Sequence, residues 1–431
     1  MRTILYQAVA LAAAFASPAL AQEMGPNMPG MDHSQMDHSG HDMAGMPGMD
    51  DAPVEPGSGS GTSRLPANEG GHHGVHFTAG DWALMAHGYL TGVYTNQTGP
   101  RGDDKIYAQS MFMLTGERDL GGGATLQLRS MLSLEPLMKH QGYPNLFATG
   151  EIAGGNPLVD RQHPHDLFME LAARVDVDVS DGAKLFLYGG PVGEPALGPS
   201  AFVHRRSAKY NPEAPITHHW FDSTHITYGV LTGGVATNKL QLEASAFRGR
   251  EPDERRFNIE TPKLDSWSAR LTWNPSPRWA LQASHGFLKE PEEHEPGSNE
   301  HRTTLSAHYA SPAVSAMIAF SAKNRDPGRT LTAWLAEANW DISKHHTLFG
   351  RIENVRNDEL FPDDLDPLHD TPFRVSKFQL GYAWNTPLGK SPINLALGGT
   401  VSAFSAPRAL DSAYGKHPMG YTLFAKFALG Q

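Results

Sequence analysis

From Phe77 to the C-terminus, apolar and polar residues alternate with a period of two. The clearest stretch is 167–179. Leu167, Met169, Leu171, Ala173, Val175, Val177 and Val179 alternate with Phe168, Glu170, Ala172, Arg174, Asp176 and Asp178. Successive side chains of a strand point to opposite faces, so this stretch predicts a strand with one apolar face. Leu126, Leu128, Leu132 and Leu134 oppose Thr125, Gln127, Arg129 and Ser133 in the same way. Trp267, Ala269, Leu271 and Trp273 oppose Ser266, Ser268, Arg270 and Thr272, and Tyr421, Leu423, Ala425, Phe427 and Leu429 oppose Thr422 and Lys426.

About sixteen such segments can be counted, and the connections between them are short and long in turn. That rhythm predicts an all-β chain: a transmembrane, up-and-down antiparallel β-barrel of about 16 strands. Its strand 1 pairs with the segment near 420–430, because spanning β-structure leaves no open edge in lipid. Leu167, Val175 and Val177 are expected to face outward, and Glu170, Arg174 and Asp178 inward. An even strand number places both termini on the short-turn side. Trp82, Trp273, Trp279, Trp340 and Trp384 fall beside predicted short turns, as an interfacial girdle requires.

The N-terminal part has no such alternation. Arg2, the apolar stretch Ala8–Ala16 and Ala19-Leu20-Ala21 form a secretory signal peptide over 1–21. Residues 22–76 contain only Val54, Leu65 and Val75 as large aliphatic residues. Such a segment buries too little apolar surface to offset its ordering entropy, so it reads as disordered. Within it, Glu55–Gly61 reads as a flexible Gly/Ser linker. The barrel is expected over 77–431. There is no cysteine, which excludes disulfides and thiolate chemistry, and the net charge of −11 argues against a nucleic-acid partner.

Three groups of residues carry candidate chemistry. Met24, Met28, Met31, Met36, Met43, Met46 and Met49 are interleaved with His33, His38 and His41. Thioether sulfur suits Cu(I), and imidazole suits Cu(II) among other ions, so a flexible chain of this composition predicts copper binding. His72, His73 and His76 form a second cluster. In the loops, His163 and His165 straddle Pro164, and His218, His219 and His225 precede a strand. Together they are candidates for an imidazole site at the outer mouth; alternatively they are ordinary loop residues bonded to Asp166, Asp222 and the backbone. In the strands, Met85, His87, Met111, Met113 and Met131 fall on the lumen phase, with Met317 further round. They read either as a path for a soft ion or as packing.

The run Met31-Asp32-His33-Ser34-Gln35-Met36-Asp37-His38-Ser39, behind a signal peptide and ahead of a barrel, resembles copper-resistance protein B and related outer-membrane copper-resistance proteins. The resemblance covers roughly residues 1–76; over the barrel it is one of architecture only. It implies copper sequestration or export at the outer membrane of a Gram-negative bacterium, with the tail in the periplasm, lipid around the barrel and periplasmic copper-handling proteins as partners. The alternative is a solute-specific or general porin with an incidental metal-binding tail. A hydrolase embedded in the barrel is a remote third. No G-x-S-x-G, H-E-x-x-H or P-loop motif is present, which favours a non-enzymatic role.

Overall fold

The computed structural model describes residues 55–70, 74–293 and 295–430. The signal peptide, the whole Met/His run from Met24 to Met49, and His72 and His73 lie outside the described residues.

Sixteen antiparallel strands close into a barrel. They are β1 (Trp82–Gln97), β2 (Asp104–Gly121), β3 (Ala124–Leu132) and β4 (Phe168–Ser180). Next come β5 (Ala183–Gly193), β6 (Thr227–Thr237), β7 (Leu240–Phe247) and β8 (Ser266–Ser276). Then follow β9 (Trp279–Leu288), β10 (Asn299–Ala310), β11 (Val314–Asp326) and β12 (Thr330–Asp341). Last are β13 (His346–Asn357), β14 (Phe373–Pro387), β15 (Ile393–Ser405) and β16 (Met419–Leu429). β16 pairs with β1 from Gly420↔Gln97 to Leu429↔Gly88, which removes the edge. A short leading strand, Val75–Ala79, pairs with the start of β1 beyond that closure.

Period-two alternation sets the two faces. On β8, Trp267, Leu271 and Trp273 are each nearly half exposed on the outer surface, whereas Ser268, Arg270 and Thr272 are buried in the lumen. Trp273, Trp279, Trp340 and Trp384 stand outward beside the short turns, giving the aromatic rim. β4 departs from the expectation at its start. Val177 faces outward and Glu170 inward, but Leu167 and Met169 are buried, not lipid-facing. A register shift between Phe168 and Glu170 breaks the alternation there, so Met169 and Glu170 both end up inside.

The lumen is filled. Two long connections on the outer side, residues 133–167 and 194–226, fold inward and reach the opposite wall. Arg205 donates to Glu337 of β12 (2.7 Å), Lys377 of β14 to Glu213 (2.6 Å), and Ser321 of β11 to the Trp220 carbonyl (2.6 Å). These inward charges are buried from bulk solvent, and their ion pairs offset that desolvation.

A third element comes from the other side. The linker expected over 55–61 is instead the start of a lumen segment spanning residues 55–70. Arg129 of β3 donates to the Gly61 carbonyl, Thr62 donates to Glu243 of β7, and Asn274 of β8 donates to the Leu65 carbonyl. Ser60 bonds Ser200 of the inward loop through both its backbone N–H and its hydroxyl. The segment buries almost no apolar surface of its own, so composition does not reveal its order; polar wall groups fix its backbone. His76, assigned to the tail, lies in the leading strand opposite Met85.

Candidate metal centre in the lumen

Both inward loops end in the His-rich stretches singled out in the sequence. Residues 163–165 lead into β4, and a single helical turn, α1 (His218–Phe221), followed by Asp222 and His225, leads into β6. β4 and β6 are separated only by β5 in the wall, so the two loop ends meet. All five histidines are buried.

Their rings form one cluster. Ring centres are 5.1 Å apart for His218 and His225, and 5.2 Å for both His165–His225 and His218–His219. His163 lies 6.0 Å from His219 and 6.1 Å from His218. Two imidazoles sharing one ion through bonds of about 2.0–2.1 Å place their centres roughly 4.5–6.4 Å apart. Ligating nitrogens of His163, His218 and His219 lie within 4.8 Å of one another. One oxygen each of Glu151 and Glu251 forms a second such group with His219.

The outer ring of contacts orients the nitrogens. His218 Nδ1–H donates to Asp222 Oδ1 (2.8 Å), His165 Nδ1–H to Glu135 Oε2 (2.8 Å) and His225 Nδ1–H to the Asp222 carbonyl (2.6 Å). Each Nε2 is thereby left as a lone-pair donor. The Nε2 atoms of His165 and His225 are buried and make no hydrogen bond among the described residues. His163 Nε2 lies 3.1 Å from Glu151 Oε1 but out of hydrogen-bond alignment. Nδ1 held by a carboxylate or carbonyl with Nε2 turned inward is the arrangement that second-shell groups impose on metal-binding histidines. Burying a nitrogen lone pair without a partner costs about 1–3 kcal/mol, so the residues present fit a transition-metal ion.

Electrostatics divide the cluster: burial favours the neutral, ligating form of three histidines, and carboxylates favour the protonated form of the other two, from which an arriving ion would displace the proton. Burial, with Arg256 and the neighbouring imidazoles, drives His163 well below its ordinary range. Burial beside His218 and His165 does the same for His225, and burial lowers His218. The shift favours the neutral form of these three, the form a ligand needs. Burial would also lower His219, but Glu251 outweighs it and raises it to about 9. At His165 the Glu135 carboxylate likewise outweighs burial and raises it. Glu135, Glu151, Asp166, Asp222 and Glu251 surround the cluster, against the guanidiniums of Arg205 and Arg256. That surplus of carboxylates is met in part by the protons that Glu251 and Glu135 hold on His219 and His165, and a cation could take their place.

The sequence reading offered the metal site and ordinary hydrogen bonding as alternatives. The structure contains the bonds to Asp222, but they engage Nδ1 and so leave Nε2 available. Glu135, Glu151 and Glu251 were not singled out, since they are remote in sequence. The i,i+4 spacing of His218 and Asp222 was the one local signal.

The strand residues divide. His87, Met113 and Met131 occupy one row across β1–β3, all buried and inward. Met111, Met113 and Met131 pack with Met169, Val192, Ile226 and Tyr228 in an apolar cluster. Met317 packs elsewhere, with Leu335 and Ala319.

In sequence, no family profile and no curated relative matches the chain. In structure it is similar to Salmonella typhi OmpF in complex with daunomycin: TM-score 0.53 and 9% identity, over 82% of this chain and 100% of that one. It is also similar to an anion-selective porin from Comamonas acidovorans: TM-score 0.50 and 12% identity, over 81% and 100%. The fold is therefore that of a Gram-negative outer-membrane barrel of porin-like architecture. In this barrel the inward loops fill the lumen and five buried histidines cluster where two of their ends meet.

Proposed function

We propose that the protein is an outer-membrane barrel that binds and passes a transition-metal ion, copper above all. In this reading the periplasmic Met/His tail captures the ion and the lumen histidines receive it. The observation that carries the reading is a cluster of five buried imidazoles: three have Nδ1 engaged by oxygen acceptors, and three, His163, His218 and His219, have ring nitrogens within 4.8 Å of one another. Nitrogen and oxygen donors suit divalent ions, and among first-row metals such donors hold Cu(II) most tightly. The Met residues of the tail add affinity for Cu(I). The copper assignment rests on those residues and on the resemblance of the tail.

A second reading is a solute-specific or general porin. The fold comparisons support it at least as well as the copper reading, because they concern the barrel and not a metal. They fit a non-enzymatic channel better than a barrel-embedded hydrolase.

Competition titration of the full chain with a chromophoric chelator separates the readings. The metal reading expects a tight Cu(II) equivalent that disappears when His163 and His218 are both replaced by Ala and persists when the tail histidines are replaced. Unchanged binding in the lumen variant favours the porin with an incidental tail.

A further inference from the structure

We propose that His76, Met85 and His87 form a second, soft metal site at the periplasmic mouth of the lumen, which takes a monovalent soft ion, with His204 facing it across a cavity. The proposal rests on the metal-handling reading and adds a separate site with a different ion preference.

The placement follows from the leading strand. His76 is directly opposite Met85 in the antiparallel pair Val75–Ala79 with β1. Directly opposed residues share a face, and so do residues two apart on one strand. His76, Met85 and His87 therefore stand on one face in two adjacent rows. His87 Nδ1 lies 3.3 Å from Met85 Sδ. Neighbouring donors around a tetrahedral ion with bonds of about 2.0–2.3 Å are separated by roughly 3.3–3.7 Å. His76 is exposed and His87 is buried, so the three lead from solvent into the barrel.

His87 opens onto a cavity of about 150 Å³ whose wall includes Met111, Glu135, His165 and His204. The His87 and His204 ring centres are 6.4 Å apart, at the wide end of the range for two imidazoles on one ion. His165 and Glu135 belong both to this wall and to the histidine cluster, so the cavity joins the two sites. Glu69, Lys209, Lys426, Arg205 and Arg206 line the same cavity. The two arginines are paired with Asp222, Glu337 and Asp341 behind the wall, and the two lysines face Glu69 and Glu135, so no surplus of negative charge draws a divalent ion here. Neutral thioether and imidazole donors favour a soft, singly charged one. Met113 and Met131 take no part: they pack in the apolar cluster and are not in the cavity wall.

The test is anomalous diffraction from crystals of the full chain, soaked in parallel with silver nitrate and zinc acetate. We expect a silver peak within bonding distance of Met85 Sδ and His87 Nδ1, reduced at least about tenfold in Met85→Leu. Zinc is expected in the histidine cluster of both proteins. Zinc in the cluster with no silver at Met85 and His87 overturns this proposal and leaves the metal-handling reading standing. A silver peak there that Met85→Leu leaves unchanged also overturns it. Silver at the mouth with an empty cluster supports this site and counts against the cluster as the main centre.

Discussion

His218 Nδ1–H donates to the Asp222 carboxylate at 2.8 Å, one helical turn further along the chain. The bond fixes the tautomer and leaves Nε2 as the lone-pair nitrogen of a ring that has His163, His219 and His225 as neighbours. Asp222 also accepts from Arg205 (3.1 Å) and from the Phe202 N–H (3.0 Å), so its own position is fixed from three sides. Asp222→Asn keeps the volume and removes the charge. We expect it to weaken Cu(II) binding by about 10- to 100-fold, as loss of a second-shell carboxylate does. Chelator competition reads the change, and unchanged affinity would make Asp222 a purely structural partner of Arg205.

The lumen segment 55–70 should dock more weakly as pH rises. Burial raises Glu69 to about 7 and Glu194, whose chain packs against Gly61, to about 8. Both folded values lie above the ordinary carboxylate value of 4.5. The docked state therefore binds more protons between pH 4.5 and 8, and its stability is full below 4.5 and falls as pH rises through 7 and 8. Hydrogen exchange of Gly59–Leu65 should be faster at pH 8.5 than at pH 6, after correction for intrinsic rates. Equal protection at the two values would contradict this.

Removing that segment should open the barrel. Residues 60–65 bond β3, β7 and β8 and the inward loop through Ser200. Deleting 55–70 is expected to raise single-channel conductance in planar bilayers several-fold. Unchanged conductance would mean that the inward loops alone set the pore.

On the outer surface, Leu271 lies in the middle of β8 between Trp267 and Trp273. Leu271→Arg should lower stability by about 2–4 kcal/mol in vesicles, the cost of a guanidinium near the bilayer midplane. Urea unfolding measures it; a change within error would place this face away from lipid.

In the tail, replacing Met24, Met28, Met31, Met36, Met43, Met46 and Met49 with Leu should weaken Cu(I) far more than Zn(II), because thioether contributes little to the harder ion. Equal losses for the two ions would refute a Met-based mechanism.

The barrel was legible because lipid imposes alternation on every strand, as in Trp267–Trp273, and because short and long connections mark its two rims. What lay beyond a strand's own pattern was not legible. Met169 turned inward because one register shift moved its phase. Residues 55–61 read as a linker and 62–70 as part of the disordered stretch because their partners, Arg129, Glu243 and Asn274, are scattered over the wall. Both histidine motifs stood out, yet their meeting depends on two loops folding inward past β5. Glu135, Glu151 and Glu251 carry no local signature at all.

Electron paramagnetic resonance of the full chain loaded with one equivalent of Cu(II), with His33, His38, His41, His72 and His73 replaced, tests the central claim most directly. The account predicts a signal with nitrogen superhyperfine structure from several imidazoles, which is lost when His163, His218 and His219 are also replaced by Ala. A protein that binds no copper once the tail histidines are gone, or a signal that survives loss of the lumen histidines, would contradict it.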